Sequence, residues 1–150
     1  MYEHLQTIKK DLRAVAAGVC CGAVGSLLMV LGCCLLAGMS RRLTVSLLPK
    51  SVTTAIGVAL SQEFGGIAAI TTAVIVITGV LGSIIGPVLC KILRLKDPIA
   101  QGVAFGTAAH VIGTTKAAQM SELAGAVSSF SLTFAGLITS ILMSVLAQFI

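Results

Sequence analysis

LLPKSVTTAIG, residues 47–57, is the stretch on which the reading of this chain turns, because it sets Pro49, Lys50, Ser51, Thr53 and Thr54 inside a sequence otherwise built for lipid. The 150 residues are 57% hydrophobic and 10% charged, with a mean hydropathy of +1.07. A soluble domain carries about a quarter charged residues. Charge-free runs cover 14–40, 64–90 and 123–150, and each exceeds the roughly 20 apolar residues a helix needs to cross the hydrocarbon core. Backbone groups in that core must bond within their own segment, so the runs are helices, not strands.

The net charge of +5 sits between these runs and does not mark a nucleic-acid surface. Lys9, Lys10 and Arg13 precede the first, Arg41 and Arg42 follow it, and Lys91, Arg94 and Lys96 follow the second. Basic residues so placed set topology and meet phospholipid headgroups, which makes membrane lipids the first expected partner. The opening MYEHLQTIKKDLRAV lacks the apolar core of a secretory signal and reads as a polar, interfacial helix. Cys20, Cys21, Cys33, Cys34 and Cys90 fall within or at the end of predicted spans, with no histidine or carboxylate beside them. They read as small apolar filler, and no metal or other cofactor is expected.

Glycines mark the packing faces. Gly18, Gly22, Gly25 and Gly32 share one side of the first helix, and Gly79, Gly82 and Gly86 share one side of the second. In lipid, close approach through small residues holds helices together. Internal packing is the expected use of both faces, with a homo-oligomer contact as the alternative.

Two segments break the pattern. In residues 43–62 Pro49 has no amide hydrogen and disfavours a helical Leu48, so a helix entering at Leu43 should break near Leu48. Ser51, Thr53 and Thr54 then stand where caps of a second half-helix belong, with the Lys50 ammonium beside its partly positive N-terminus. Such a break is an anion cradle of the kind secondary transporters use. The competing local reading is a Pro-kinked helix whose Lys50 snorkels to the interface. In residues 98–122, a helix over 102–116 would put Gly102, Gly106 and Gly113 on one face with His110 and Lys116 at its edges. Gly113, Thr114 and Thr115 would supply a second break. Ionisable groups inside a membrane point to function, here a proton relay or a substrate contact at His110, against simple helix-to-helix bonding. Glu63 and Glu122 read as interfacial loop residues, and no nucleophile with a base and an orienting group is present, so an enzyme is not expected.

LPKSVTTAIGVALSQEFGGIAAITTAVIVITGVLGSIIGP and the later GVAFGTAAHVIGTTKAAQMSELAGAVSSFSL closely resemble the CidB/LrgB family of bacterial membrane proteins, from about Tyr2 to the C-terminus. The family pattern has Pro where this chain has Ala55 and commonly Arg where it has Lys116. Its members are usually longer, so the chain looks like the C-terminal part of one, a single transmembrane domain over residues 1–150. The resemblance implies a multi-pass protein of the bacterial cell (inner) membrane, linked to murein hydrolase control and autolysis. It also implies an antiholin-like role beside a small LrgA- or CidA-like membrane partner, and carriage of small carboxylates such as pyruvate or glycolate.

Together these readings give an all-α, polytopic membrane bundle with discontinuous helices, about five transmembrane segments, and the character of half an inverted-repeat transporter. The expected substrate site comprises Pro49, Lys50, Ser51, Thr53, Thr54, Gly106, Thr107, His110, Gly113, Thr114 and Lys116. If residues 43–62 re-enter instead of crossing, six basic residues face two across the membrane, which the positive-inside rule prefers. Crossing is the expectation taken forward, because discontinuous transporter helices commonly span.

Overall fold

A computed structural model describes residues 11–148; the expected interfacial helix lies, up to residue 10, outside the described residues. Seven helices follow in order: α1 Leu12–Leu36, α2 Arg41–Leu47, α3 Thr54–Glu63, α4 Ala68–Ile92, α5 Pro98–Ala108, α6 His110–Met120 and α7 Glu122–Leu146. Among the described residues there is no strand. Helices α1, α4 and α7 have 25 residues each, about 37 Å of rise, enough for the hydrocarbon core of roughly 30 Å. They are the three charge-free runs, and their outward sides keep residues such as Met29, Ile84 and Ile141 exposed, as lipid requires.

The other four helices form two re-entrant hairpins, which corrects the expectation of five crossings. Helix α2 starts beside the end of α7, where an Arg41 guanidinium nitrogen donates to the Ala147 carbonyl at 3.1 Å. It descends to Lys50, whose partner Ser26 lies near the middle of α1. Helix α3 then runs back. A Cβ on Gly57 would meet the Pro49 carbonyl oxygen at 3.3 Å, close to the tip. Further along, Leu60 joins Val30, Cys34 and Met143 in one buried cluster near the outer ends of α1 and α7. The second hairpin enters from the opposite side. Gly102 of α5 lies against Ala124 and Gly106 against Ser128, while on the returning α6 Thr114 bonds Ser128 and Ala118 packs on Gly125. The chain thus contains two units of inverted topology, α2–α3–α4 and α5–α6–α7, each a hairpin followed by a span, with α1 against both.

Buried hydroxyls staple the first hairpin to α4. Ser46 donates to the Arg42 carbonyl at 2.7 Å and accepts from the Ile67 amide at 2.7 Å. The Thr71 hydroxyl lies 2.9 Å from the Ser46 carbonyl oxygen and 2.7 Å from Ser61 Oγ. Ser46, Ser61 and Thr71 are all fully buried, so these bonds replace the water that the α3–α4 turn cannot reach.

Three helices end in the same motif. At α1, α3 and α4 the second residue past the cap donates back across the last turn, Met39 to Cys34 at 3.0 Å, Gly66 to Ser61 at 2.6 Å and Leu95 to Cys90 at 2.8 Å. The left-handed residue before it is Gly38 or Gly65 in the first two cases, but Arg94, with φ of 53°, in the third. Only glycine takes that conformation freely, and another L-residue bears about 1–2 kcal/mol there.

Two outcomes check this architecture. In a cysteine-free background in oriented vesicles, Gln62→Cys and Ser40→Cys label from one side and Lys96→Cys from the other. Five crossings would instead put Lys96→Cys with Ser40→Cys and move Gln62→Cys away. Ser46→Ala leaves the half-buried Ile67 amide without its acceptor and lowers unfolding free energy in micelles by about 1–3 kcal/mol; an unchanged denaturant midpoint would deny the staple.

Candidate functional site

The first hairpin tip meets Ser26, midway along α1, and the second meets Gly79, midway along α4; halfway along a span, a broken backbone is tolerated only if protein or trapped water surrounds it. The first tip is residues 48–53. Helix α2 ends before Pro49, which has no amide for the ladder, but Leu48 keeps helical angles (φ −51°, ψ −47°), against the expectation for a residue before proline; Leu48, Pro49 and Val52 are fully buried. Thr53 is the cap of α3, its hydroxyl accepting from the Ile56 amide at 3.4 Å. Ser51 is not a cap. Its hydroxyl turns to α1 and lies 2.9 Å from Ser26 Oγ, and the Lys50 ammonium donates to Ser51 Oγ at 3.0 Å and to Ser26 Oγ at 3.4 Å. Thr54 opens α3 on its exposed side, with its side chain away from this triad.

The second tip is Ala109–His110, not Gly113–Thr115. Helix α5 ends at Ala108, His110 has φ of 42°, and α6 begins at His110 itself. Gly113 and Thr114 lie within α6: Gly113 allows the hairpin to close on Ala109 and Phe105, and the Thr114 hydroxyl donates to the His110 carbonyl at 2.8 Å. The reason is steric. Glycine at 113 is needed for close approach inside the hairpin, so it cannot also be spent on the turn.

His110 is buried, 3% exposed, with Nε2 at 2.7 Å from the Ile75 carbonyl oxygen of α4. A carbonyl only accepts, so Nε2 carries the hydrogen and, in the neutral ring, Nδ1 keeps a lone pair. The ring sits in a notch that Gly79 leaves open, where a Cβ would stand 2.5 Å from His110 Cε1 and 2.9 Å from Nε2. Ile75 links the two tips: its side chain packs on Gly57, beside Pro49 and Val52 of the first, and its carbonyl accepts from His110 of the second. Thr107, one turn before the second tip, lies against Gly22 of α1 and donates to the Val103 carbonyl at 2.8 Å.

Of the residues expected at one site, the structure brings Pro49, Lys50, Ser51, Thr107 and His110 to the two tips around α1 and α4. Gly106, Gly113 and Thr114 shape and hold the second hairpin. Lys116 stands elsewhere, on α6 below the tip, its ammonium 3.4 Å from Gln119 Oε1 and beside Pro87 and Lys91. Ser26 was missed. It falls at i+4 from Gly22 and i+8 from Gly18, the small face of α1, and a hydroxyl extending a glycine stripe is the signal that would have found it.

The α4 glycines pack internally, as do Gly18 and Gly22 of α1 against Val103 and Thr107, but the expected internal face of α1 does not extend to Gly25 and Gly32. A Cβ on Gly82 would strike Ala109 and one on Gly86 would strike Phe105, whereas Gly25 and Gly32 meet nothing within 4 Å. Gly79→Ala should therefore displace the His110 ring and cost about 1–3 kcal/mol by overpacking, read as the denaturant midpoint in micelles. Gly25→Ala, facing open space, should leave that midpoint unchanged or raised; equal effects at the two positions would contradict the notch.

The family model "LrgB-like family" matches residues 1–149. The chain is 37% identical over 146 residues to a protein named holin-like protein CidB from Staphylococcus epidermidis, covering 97% of this chain and 64% of that one. A protein of the same name from Staphylococcus aureus is 35% identical over the same length and shares. The Bacillus subtilis protein YwbG is 35% identical over 142 residues, 93% of this chain and 62% of its own. The chain therefore spans less than two thirds of the length of these relatives. No solved structure matches it.

Proposed function

The chain belongs to the LrgB-like family, a family of multi-pass membrane proteins with holin-like bacterial relatives, and we propose that it works as part of a secondary carrier for a small monocarboxylate of the pyruvate or glycolate class, linked to control of murein hydrolase activity and autolysis. One observation carries this reading. Two hairpins entering from opposite faces set an ammonium with two serine hydroxyls at one tip and an imidazole at the other, with Ile75 packed between them. A chain that only touched a partner through lipid-facing helices would have no use for a costly lysine and histidine there.

Each residue has a part. Lys50 supplies the positive charge for the carboxylate, and Ser51 and Ser26 donate alongside it while Thr53 holds the α3 terminus in place. His110, fixed by Ile75 and Gly79, either takes up the proton that accompanies the anion or orients the substrate through Nδ1. Thr54 and Lys116 have no part in holding substrate, by their positions. Opposed hairpins also suit alternating access, since each tip is anchored to a different face of the bundle.

Uptake of labelled pyruvate or glycolate into proteoliposomes, by this chain and by a full-length relative, tests the proposal. Lys50→Ala should lower uptake roughly 10–100-fold, the loss of one charge-assisted contact. Lys50→Arg should keep part of it, and Lys116→Ala should leave it unchanged. Normal uptake after both Lys50→Ala and His110→Ala would remove the assigned site.

A second reading, an antiholin-like protein that modulates a small LrgA-like partner, draws on the unfilled glycines of α1. Gly25 and Gly32 open outward beside exposed Leu28, Met29 and Leu36. In that case Gly25→Leu would abolish co-purification with the small partner and leave uptake intact.

A further inference from the structure

Four cations gather at the end of the bundle from which the second hairpin enters. Lys91 closes α4, Arg94 and Lys96 lie in the loop after it, and Lys116 reaches the same cavity from α6; together with Pro87 and Met120 they border an open space of ≈ 590 Å³. Directly adjoining it is an apolar groove of ≈ 370 Å³ between α4 and α5, and Cys90 and Leu95 line both. The groove climbs along α4 from Cys90 to Thr78 and along α5 to Ala109, beside the second tip. Twelve residues of helix rise about 18 Å, slightly more than half of a hydrocarbon core of roughly 30 Å.

The basic end is also the one that the charge balance places in the cytoplasm. Arg13, at the start of α1, lies at the same end as Lys91, Arg94, Lys96 and Lys116, against Arg41 and Arg42 at the other. Arg94 adds an independent sign. It occupies the left-handed end position that Gly38 and Gly65 fill at α1 and α3, and a conformationally costly arginine kept where glycine would be free marks a place where its side chain is used.

We propose that this cavity and groove form one site for an anionic phospholipid of the cytoplasmic leaflet, with the phosphate held by Lys91, Arg94, Lys96 and Lys116 and one acyl chain laid between α4 and α5. Cationic headgroup pockets above a helix–helix cleft recognise lipids through this pairing of charge and apolar length. The bound chain would lie against Ala109, next to His110, so its occupancy bears on the second hairpin without touching Lys50. The site does not depend on the carrier reading.

Native mass spectrometry of the purified full chain, titrated with phosphatidylglycerol or phosphatidylcholine, tests this. One phosphatidylglycerol should be retained in preference to phosphatidylcholine, and each cation removed (Lys91→Gln, Lys96→Gln, Lys116→Gln) should weaken it by roughly fivefold. Arg94→Gly should do the same while leaving the lipid-free thermal midpoint unchanged or raised, which separates lost binding from lost folding. Ala104→Trp, which fills the groove from its exposed side, should also displace the lipid. Equal retention of the two lipids, full preference after Arg94→Gly and Lys96→Gln, or displacement of the lipid by soluble glycerol phosphate would each overturn the site.

Discussion

Unsatisfied backbone has no water to turn to inside a bilayer, and everything unusual in this chain follows from breaking two helices there regardless. Each break needs protein around it. The first tip is closed by α1 through Ser26 and by its own Pro49, Val52 and Thr53; the second is held by α4 through the Ile75 carbonyl and the Gly79 notch. The hydroxyls and glycines so prominent in the sequence are thus not scattered. They are where amides need an acceptor or two backbones must approach.

The three spans were legible because hydrocarbon thickness leaves little choice: charge-free runs became helices with ends within a few residues of their predicted limits. The first break was legible for a nearly local reason, Pro49 being followed at once by Lys50, Ser51 and the capping Thr53, whereas Pro87, among apolar neighbours, is carried inside α4. What neighbours decide was not legible. The turn at Ala109–His110 carries neither proline nor glycine, and it forms there because Gly113 is needed to seat α6 on Phe105 and Ala109. Crossing and re-entrant segments have the same composition, so the five-segment reading of 43–62 failed where only the return of Leu60 and Ser61 to the outer ends of α1 and α4 decides. Basic-residue balance already favoured the re-entrant form.

The candidate site divides along the same line. Lys50, Ser51 and His110 could be picked out because polar groups in lipid are rare enough to be conspicuous one at a time. Ser26 could not, being a small residue on a helix face that is small throughout. Thr54 and Lys116 were included on spacing, and the hairpin geometry sends one to an exposed side and the other to the headgroup level. Both hairpin-and-span units, and with them both tips of the candidate site, lie within this chain, which spans less than two thirds of its relatives' length.

Convergence of the two tips is the claim on which the rest stands, and its most direct measurement is the spin–spin interaction between nitroxides at Lys50→Cys and Ala108→Cys in a cysteine-free chain reconstituted in lipid. Opposed hairpins meeting at mid-membrane predict continuous-wave spectra broadened by dipolar coupling relative to the sum of the two single labels. Spectra that superimpose on that sum would place the tips apart and leave Lys50 and His110 without a common site.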